Sequence, residues 1–453
     1  MALEVIILAA GKGTRMKSAF PKVLHTLAGE TLIERVVHTA QQLQPVKIHL
    51  VYGHGAELIK KVFSTSSVNL VEQAEQKGTG HAVAQVLPHI DTNNQIVVLY
   101  GDVPLLTVDT LKNLISKAEQ GFSLLTVNLE HPQGYGRIIR DIDGHIKAIV
   151  EHKDATEIQQ HIKEVNTGVM CVKGALLAKW LPALSADNSQ GEYYLTDIVA
   201  MASNEDIPIA SDQPKQIFEV EGINDRHQLA KLERIYQHHQ AAKLMVAGVT
   251  LMDPARFDLR GKLSTGTDVC IDINVIIEGH VTLGNGVSIG PNCVIKNATI
   301  GDNVHIYANS LIEDSVIEAE CTVGPFARLR PKTHLKPGAK VGNFVEVKKS
   351  TIGVGSKVNH LSYIGDTTIG SHANIGAGTI TCNYDGVNKF QTEIADGAFI
   401  GSNSSLIAPV KIGKNATVGA GSAINKDVPD GMLSVGRGKQ VNIDTWQRPV
   451  KKP

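Results

Sequence analysis

A chain of 453 residues is too long for one ordinary hydrophobic core, so two or three domains are expected. Hydrophobic residues make up 42% and charged residues 20%, ordinary for a globular protein, while aromatics reach only 4% and glycine fills 42 positions, a composition suited to many tight corners. Lys and Arg (44) balance Asp and Glu (45), which argues against nucleic acid or an anionic membrane as the main partner and leaves phosphate binding to local sites.

Residues 1–10 carry a short apolar run with no basic start, and the run passes straight into Gly11-Lys12-Gly13, so it reads as a buried strand. No stretch approaches the roughly 18 apolar residues of a spanning helix, so no membrane insertion and a cytoplasmic location are expected. Up to residue 223, strand-like runs at 5–9, 48–52, 96–100 and 124–129 alternate with helical patterns such as 32–43 and 82–87. That order predicts an α/β, Rossmann-like domain over 1–223, with a parallel sheet covered on both faces. Ligands bind beyond the carboxyl ends of such strands, which points to the loops after Ala10 and Tyr100. Cys171, Cys270, Cys293, Cys321 and Cys382 are scattered without CxxC spacing, which supports neither a disulfide framework nor a zinc site.

Residues 224–250 are expected to form a helical linker, with Leu229, Leu232, Ile235, Ala242 and Met245 at helical apolar spacing. The period then changes. Ile271, Ile277, Leu283, Ile289 and Ile295 fall six apart, and with occasional five-residue steps the train runs through Ile312, Val323, Leu335, Val347, Val358, Ile369 and Ile375. It resumes as Ile394, Ile400, Leu406, Ile412, Val418 and Ile424. Hexapeptide repeats of this kind predict a left-handed parallel β-helix over 251–453, each side of a coil sending one aliphatic residue inward. The break at 382–393 is too polar for a coil side and should project as a loop, and the tail 448–452 should be solvated.

The first loop reads Leu8-Ala9-Ala10-Gly11-Lys12-Gly13-Thr14-Arg15-Met16. Small residues let a ligand approach the backbone, and N–H groups near a helix start suit phosphate. It is neither a P-loop nor a dinucleotide fingerprint, because GxxxxGK[ST] is absent and Met16 stands at the third glycine position. Arg15 and Lys22 add cations suited to triphosphate oxygens. This loop, with the Pro-Lys-Val-Leu run after it, resembles the signature of sugar-phosphate nucleotidyltransferases. Further matches come in the family's order: Gln73 to Gly78-Thr79, Tyr100-Gly101-Asp102, Gly134-Tyr135-Gly136-Arg137, Val150-Glu151, Asn166-Thr167-Gly168 and Glu221 to Asn224. Together with the β-helix they resemble the bacterial bifunctional N-acetylglucosamine-1-phosphate uridyltransferase/glucosamine-1-phosphate N-acetyltransferase family.

The resemblance implies that Leu8, Ala9, Ala10, Gly11, Gln73, Gly78 and Thr79 hold UTP, with Tyr100 and Gly101 beside them. It implies Mg²⁺ on Asp102 and Asn224, the sugar on Gly136, Glu151, Asn166 and Asn224, and charge neutralisation by Arg15 and Lys22 as pyrophosphate leaves. A sugar phosphate attacking UTP needs alignment and charge screening more than a base, which suits these residues.

In the C-terminal half, Arg330, Lys348 and Tyr363 fall in neighbouring coils if a coil takes about 17–18 residues, forming a cationic pocket suited to a sugar phosphate. The resemblance implies that His360 is the general base for the glucosamine amine, assisted by Glu346, and that Arg330, Lys348, Tyr363 and Asn374 bind glucosamine 1-phosphate. It assigns acetyl-CoA to Ala377, Asn383, Tyr384, Ser402, Ala420 and Arg437, and implies a homotrimer. The expected partners are thus small molecules: glucosamine 1-phosphate, acetyl-CoA and UTP. The competing expectation is a uridyltransferase whose β-helix serves only as a trimerisation scaffold.

Overall fold

The structure, a computed structural model, describes residues 1–449 apart from 12 and 54; of the expected solvated tail 448–452, residues 450–452 lie outside the described residues. The chain divides into two compact units, Met1–Tyr236 and Gln237–Pro453.

The first unit is built on β1 (Leu3–Ala9), α1 (Leu32–Gln41), β2 (Lys47–Tyr52), β3 (Asn69–Glu72), α2 (Thr79–Ala84), β4 (Gln95–Tyr100), α3 (Val108–Lys117), β5 (Phe122–Asn128), β6 (Arg137–Arg140), β7 (Ile146–Val150), β8 (Glu164–Lys173), α4 (Asp197–Asn204) and β9 (Ile209–Asp212). Its main sheet runs β9-β5-β8-β4-β1-β2-β3, with β6 and β7 attached through β8. Alternation along β1 sets the layers. Val5, Ile7 and Ala9 pack with Ile33, Val36, Val37 and Ala40 of α1 and with Leu111 and Leu114 of α3, whereas Ile6 and Leu8 pack with Ala82 and Val83 of α2 and with Ile198, Val199 and Ala202 of α4. Helix α1 begins at Thr31, whose hydroxyl accepts from the Glu34 N–H while the Glu34 carboxylate takes the Thr31 N–H, a reciprocal cap. The sheet is mixed, not wholly parallel as the βαβ pattern predicts. Strand β8 runs antiparallel to both β4 and β5. Its run of Val169, Met170, Cys171 and Val172 is buried, and a strand buried on both faces reads the same in either direction.

The long helix α5 (Arg226–Val246) begins close to the expected residue 224. Leu229, Leu232, Ile235 and Tyr236 join Leu27, Leu32, Leu105 and Ile223 in the first unit, and Ala241 and Leu244 belong to the second.

In the second unit the hexad residues become parallel ladders. One reads Ile271, Ile289, Ile306, Val323, Val341, Val358, Ile375, Ile400 and Val418, each in register with the next coil. All are essentially buried, and each aliphatic side chain so removed from water stabilises the stack by about 1.5–3 kcal/mol. The five-residue steps are shortened corners. The polar break is absorbed between Ile369 and its partner Ile394, where the chain leaves the coil as a short hairpin closed by a Tyr384–Lys389 bridge. Polar residues also take inward positions: Thr381, standing in the train between Ile375 and Ile394, is fully buried, with Oγ1 accepting from the Gly365 N–H at 2.8 Å. At one corner Asn274, Asn292 and Asn309 take left-handed backbone and link side chain to side chain, and the same corner then passes to Phe326, Phe344 and Leu361.

Candidate active sites

In the first unit the expected nucleotide residues line one cavity of about 420 Å³ at the carboxyl ends of β1 and β4: Leu8, Ala9, Ala10, Gly11, Lys22, Gln73, Gly78, Thr79, Tyr100 and Asp102. Gly13 adopts left-handed backbone, and a Cβ there would stand 2.6 Å from Lys22 Cβ, so glycine is what lets the first loop fold over Lys22. The loop runs into the single 3₁₀ turn Thr14–Met16 rather than a helix, so what it offers an anion is loop N–H groups and cations, not a helix start. At Gly78 (φ 107°) a Cβ would stand 2.5 Å from the Tyr193 carbonyl. The 188–196 segment closes there, with Leu195 N–H donating to Thr79 Oγ1 at 3.1 Å.

Asp102 lies just past β4, and its carbonyl accepts the Ile223 N–H at 2.9 Å, which delivers Asn224 beside it. Lys22 Nζ pairs with Asp102 Oδ2 and also donates to Asn224 Oδ1 at 3.1 Å, while Arg15 donates to the same Asn224 oxygen at 2.9 Å. Lys22 thus gathers one carboxylate and one amide oxygen, hard oxygen donors of the kind Mg²⁺ takes, so the donor chemistry fits Mg²⁺. Gly136, Glu151 and Asn166 also come together: Asn166 N–H donates to the Gly136 carbonyl at 2.9 Å, and a Cβ on Gly136 would stand 3.4 Å from the Glu151 carboxylate. Burial pushes the Glu151 carboxyl above its ordinary range, the nearby Asp197 and Asp154 add to this, and a Thr196 hydroxyl bond only partly opposes them. Burial likewise raises the Tyr100 phenol, so it stays protonated.

In the second unit His360, Ala377, Ser402 and Ala420 stand one above another. The Gly378 N–H donates to His360 O, the Asn403 N–H to Ala377 O and the Gly421 N–H to Ser402 O, while Arg437 reaches the Ala420 carbonyl at 3.0 Å. His360 Nδ1 lies 2.7 Å from Asn343 Oδ1. On the adjoining ladder Arg330 donates to Glu346 Oε1 at 2.8 Å, Glu346 is in register with Tyr363, and Lys348 with Gly365. The Tyr363 ring covers Gly365, where a Cβ would stand 2.5 Å from its hydroxyl. Glu346 is thus engaged by Arg330, and Asn343 is the side chain that holds the imidazole. Asn374 falls on the other ladder, in register with Lys357 and Phe399, apart from the Arg330–Lys348–Tyr363 group. Asn383 spends its amide N–H on Asp366 at 2.5 Å, whereas Tyr384 stands exposed in the hairpin.

Sequence reasoning misses several neighbours. Gln76 and Glu192 line the nucleotide cavity. Asp366, 7% exposed, gathers Lys348, Lys349 and Asn383. Burial acts to raise its carboxyl, and bonds from Lys349 and Asn383 with the Lys348 charge outweigh that and hold it below its ordinary range. Lys389, in the hairpin, lies beside Lys348, which lowers its ammonium pKa. The signal for Asp366 was one coil of spacing from Lys348 and Lys349.

Family models match three parts of the chain: the MobA-like NTP transferase domain over 5–167, the GMPPB C-terminal domain over 259–335 and the bacterial transferase hexapeptide over 391–426. A "Bifunctional protein GlmU" of Marinobacter nauticus is 56% identical over 450 residues, covering 99% of both chains. Another, of Idiomarina loihiensis, is 59% identical over 453 residues, covering 100% of this chain and 99% of the relative. Among solved structures, a UDP-glucose pyrophosphorylase complexed with UDP-glucose aligns over 52% of this chain and 98% of its own, at 18% identity and a TM-score of 0.44. With relatives matched from end to end at this identity, the chain belongs to the GlmU family of bifunctional proteins.

Proposed function

We propose that these constellations are the two active sites of a bifunctional transferase. The C-terminal site acetylates glucosamine 1-phosphate with acetyl-CoA. The N-terminal site then transfers UMP from UTP to N-acetylglucosamine 1-phosphate, giving UDP-N-acetylglucosamine and pyrophosphate. The observation that carries this reading is the vertical alignment of His360, Ala377, Ser402 and Ala420 beside the Arg330–Lys348–Tyr363 group, which a bare scaffold has no need to build.

With the Asn343 oxygen facing Nδ1, the imidazole proton sits on Nδ1 and Nε2 is free to take a proton from the amine as it attacks the thioester. Arg330 and Lys348 hold the sugar phosphate, and the small side chains at 377, 402 and 420 leave room for a pantetheine arm, with Arg437 toward a CoA phosphate. Asn374 completes the site from another protomer of a homotrimer. In the N-terminal site Gly136, Glu151 and Asn166 hold the sugar, and Arg15 and Lys22 turn from Asn224 and Asp102 to the nucleotide phosphates. Asp102 and Asn224 would hold Mg²⁺, which would supply charge screening for the phosphates. The functional division is 1–223, 224–250 and 251–453, and the enzyme works in the cytoplasm.

Paired assays test the reading. Glucosamine 1-phosphate with acetyl-CoA should release CoA thiol, and N-acetylglucosamine 1-phosphate with UTP and Mg²⁺ should release pyrophosphate. Pyrophosphate without thiol would leave the β-helix as a scaffold.

A further inference from the structure

The nucleotide cavity has two unlike walls. Arg15 and Lys22 belong to the loop after β1, so the phosphates gather there. The opposite wall comes from the segment joining β3 to α2 and from α2 itself, with Gln73, Gly78, Thr79 and Ala82, and the Glu192 carboxylate beside it keeps phosphate away. The base therefore falls to Gln73, which is 3% exposed.

The Gln73 amide is tied from behind. Its Nε2 lies 3.1 Å from the Gly78 carbonyl oxygen and 3.0 Å from His81 Nδ1. A carbonyl only accepts, so the nitrogen must face Gly78. His81 Nδ1 then accepts the second amide hydrogen, with the ring proton on Nε2 toward the Gln85 side-chain amide at 3.2 Å. With both hydrogens spent inside the protein, the group left for the cavity is the Gln73 oxygen, an acceptor only. His81 itself is placed by α2 and lies against Tyr193, with ring centroids 6.4 Å apart.

We infer that His81 is a positioning residue for base selection: by accepting the second amide hydrogen it pins the Gln73 oxygen toward the base. Such an oxygen pairs with the imide N3–H of uracil. Cytosine presents a bare N3 lone pair there, and two acceptors then face each other in a closed site. With His81 removed, the amide pivots on its one bond to Gly78 and offers a hydrogen as readily as the oxygen.

This inference rests on reading the cavity as the uridyltransferase site and on placing the base at Gln73. The test compares kcat/KM for UTP, CTP and N3-methyl-UTP by pyrophosphate release, in the full-length wild type, His81→Phe and His81→Gln. The wild type should prefer UTP over both analogues. His81→Phe keeps a ring against Tyr193 and should lower the UTP:CTP ratio about tenfold or more, through loss on UTP and gain on CTP, with N3-methyl-UTP unchanged. His81→Gln, which supplies an acceptor oxygen, should restore part of the preference. If His81→Phe loses activity on all three nucleotides alike, or keeps the wild-type ratio, the role of His81 is overturned. A wild type that uses UTP and CTP equally would overturn the placement of the base, and one that releases no pyrophosphate would overturn the site's assignment.

Discussion

In the N-terminal unit, loops from distant parts of the chain carry Arg15, Lys22, Asp102 and Asn224 into one region, held by backbone ties such as the Ile223 N–H on Asp102. In the β-helix, His360, Ala377, Ser402 and Ala420 align because each coil repeats the one before it. The first kind of site depends on loop geometry that nothing repeats. The second depends on register, and any side chain placed outward at the right phase joins it without cost to the core. Chemistry in the N-terminal unit is therefore bound up with its fold, whereas in the β-helix the two are separable.

The largest expected effect comes from that separation. His360 is exposed and its ring is held at Nδ1, so His360→Ala leaves the core untouched while removing the proposed base. Acetyl transfer should fall by about 10²–10⁴-fold, with pyrophosphate release unchanged, both read on one preparation. Equal loss of the two activities would show that the units are not independent.

The same separation explains what could be read in advance. The inward residues of the β-helix follow from periodicity alone, because a buried aliphatic ladder tolerates little else. The outward residues do not: His360 looks like any of the 18 histidines until the coil places it on Asn343 and above Ala377. Thr381 was hidden for the opposite reason, since a polar residue can occupy an inward position when its hydroxyl is satisfied by Gly365. In the N-terminal unit the glycine-rich loop and Asp102 were legible from motif order. Glu192 was not, because chain folding alone brings it to the cavity, and Gln76 lay within the Gln73–Gly78 run without being singled out. The reversed direction of β8 was equally hidden, since burial on both faces erases the alternation that marks orientation.

Asp102→Ala tests the opposite half of the comparison. Asp102 anchors Lys22 and, with Asn224, supplies the oxygens suited to Mg²⁺. Uridyl transfer should fall by about a hundredfold or more, and binding of Mn²⁺ followed by its paramagnetic signal should weaken. Acetyl transfer should be unchanged. Retained Mn²⁺ affinity would move the metal away from Asp102.

A smaller effect is expected from the core of the β-helix itself. Thr381→Val keeps the shape but strands the buried Gly365 N–H, which should cost about 1–3 kcal/mol. Urea unfolding followed by far-ultraviolet circular dichroism would register this. Fluorescence of Trp180, buried among Phe122 and Leu177 in the first unit, should show no shift. A shift in the Trp180 transition would mean that the two units unfold together.

The smallest expected effect is a pH slope confined to the first unit. His49 is fully buried on β2, with Nε2 at 2.8 Å from Glu4 Oε2 and Nδ1 at 2.9 Å from Asn69, while Lys47 and His89 add positive charge nearby. Burial pushes the imidazole pKa below its ordinary 6.5, and the Glu4 contact does not fully offset this. The unfolded chain therefore binds a proton near pH 6.5 that the folded chain refuses, so stability must fall as pH drops below that value. Glu4 acts in a lower window. Burial works to raise it, but bonds from the Asp91 N–H, Asn94 and His49 hold it below its ordinary 4.5, so its contribution is present above that pH and lost only further down. The urea midpoint read from Trp180 should thus decline between about pH 6.5 and 5 in the wild type and stay flatter in His49→Gln, which cannot take up a proton in either state. A slope unchanged in His49→Gln would assign the acid sensitivity of this unit to other groups.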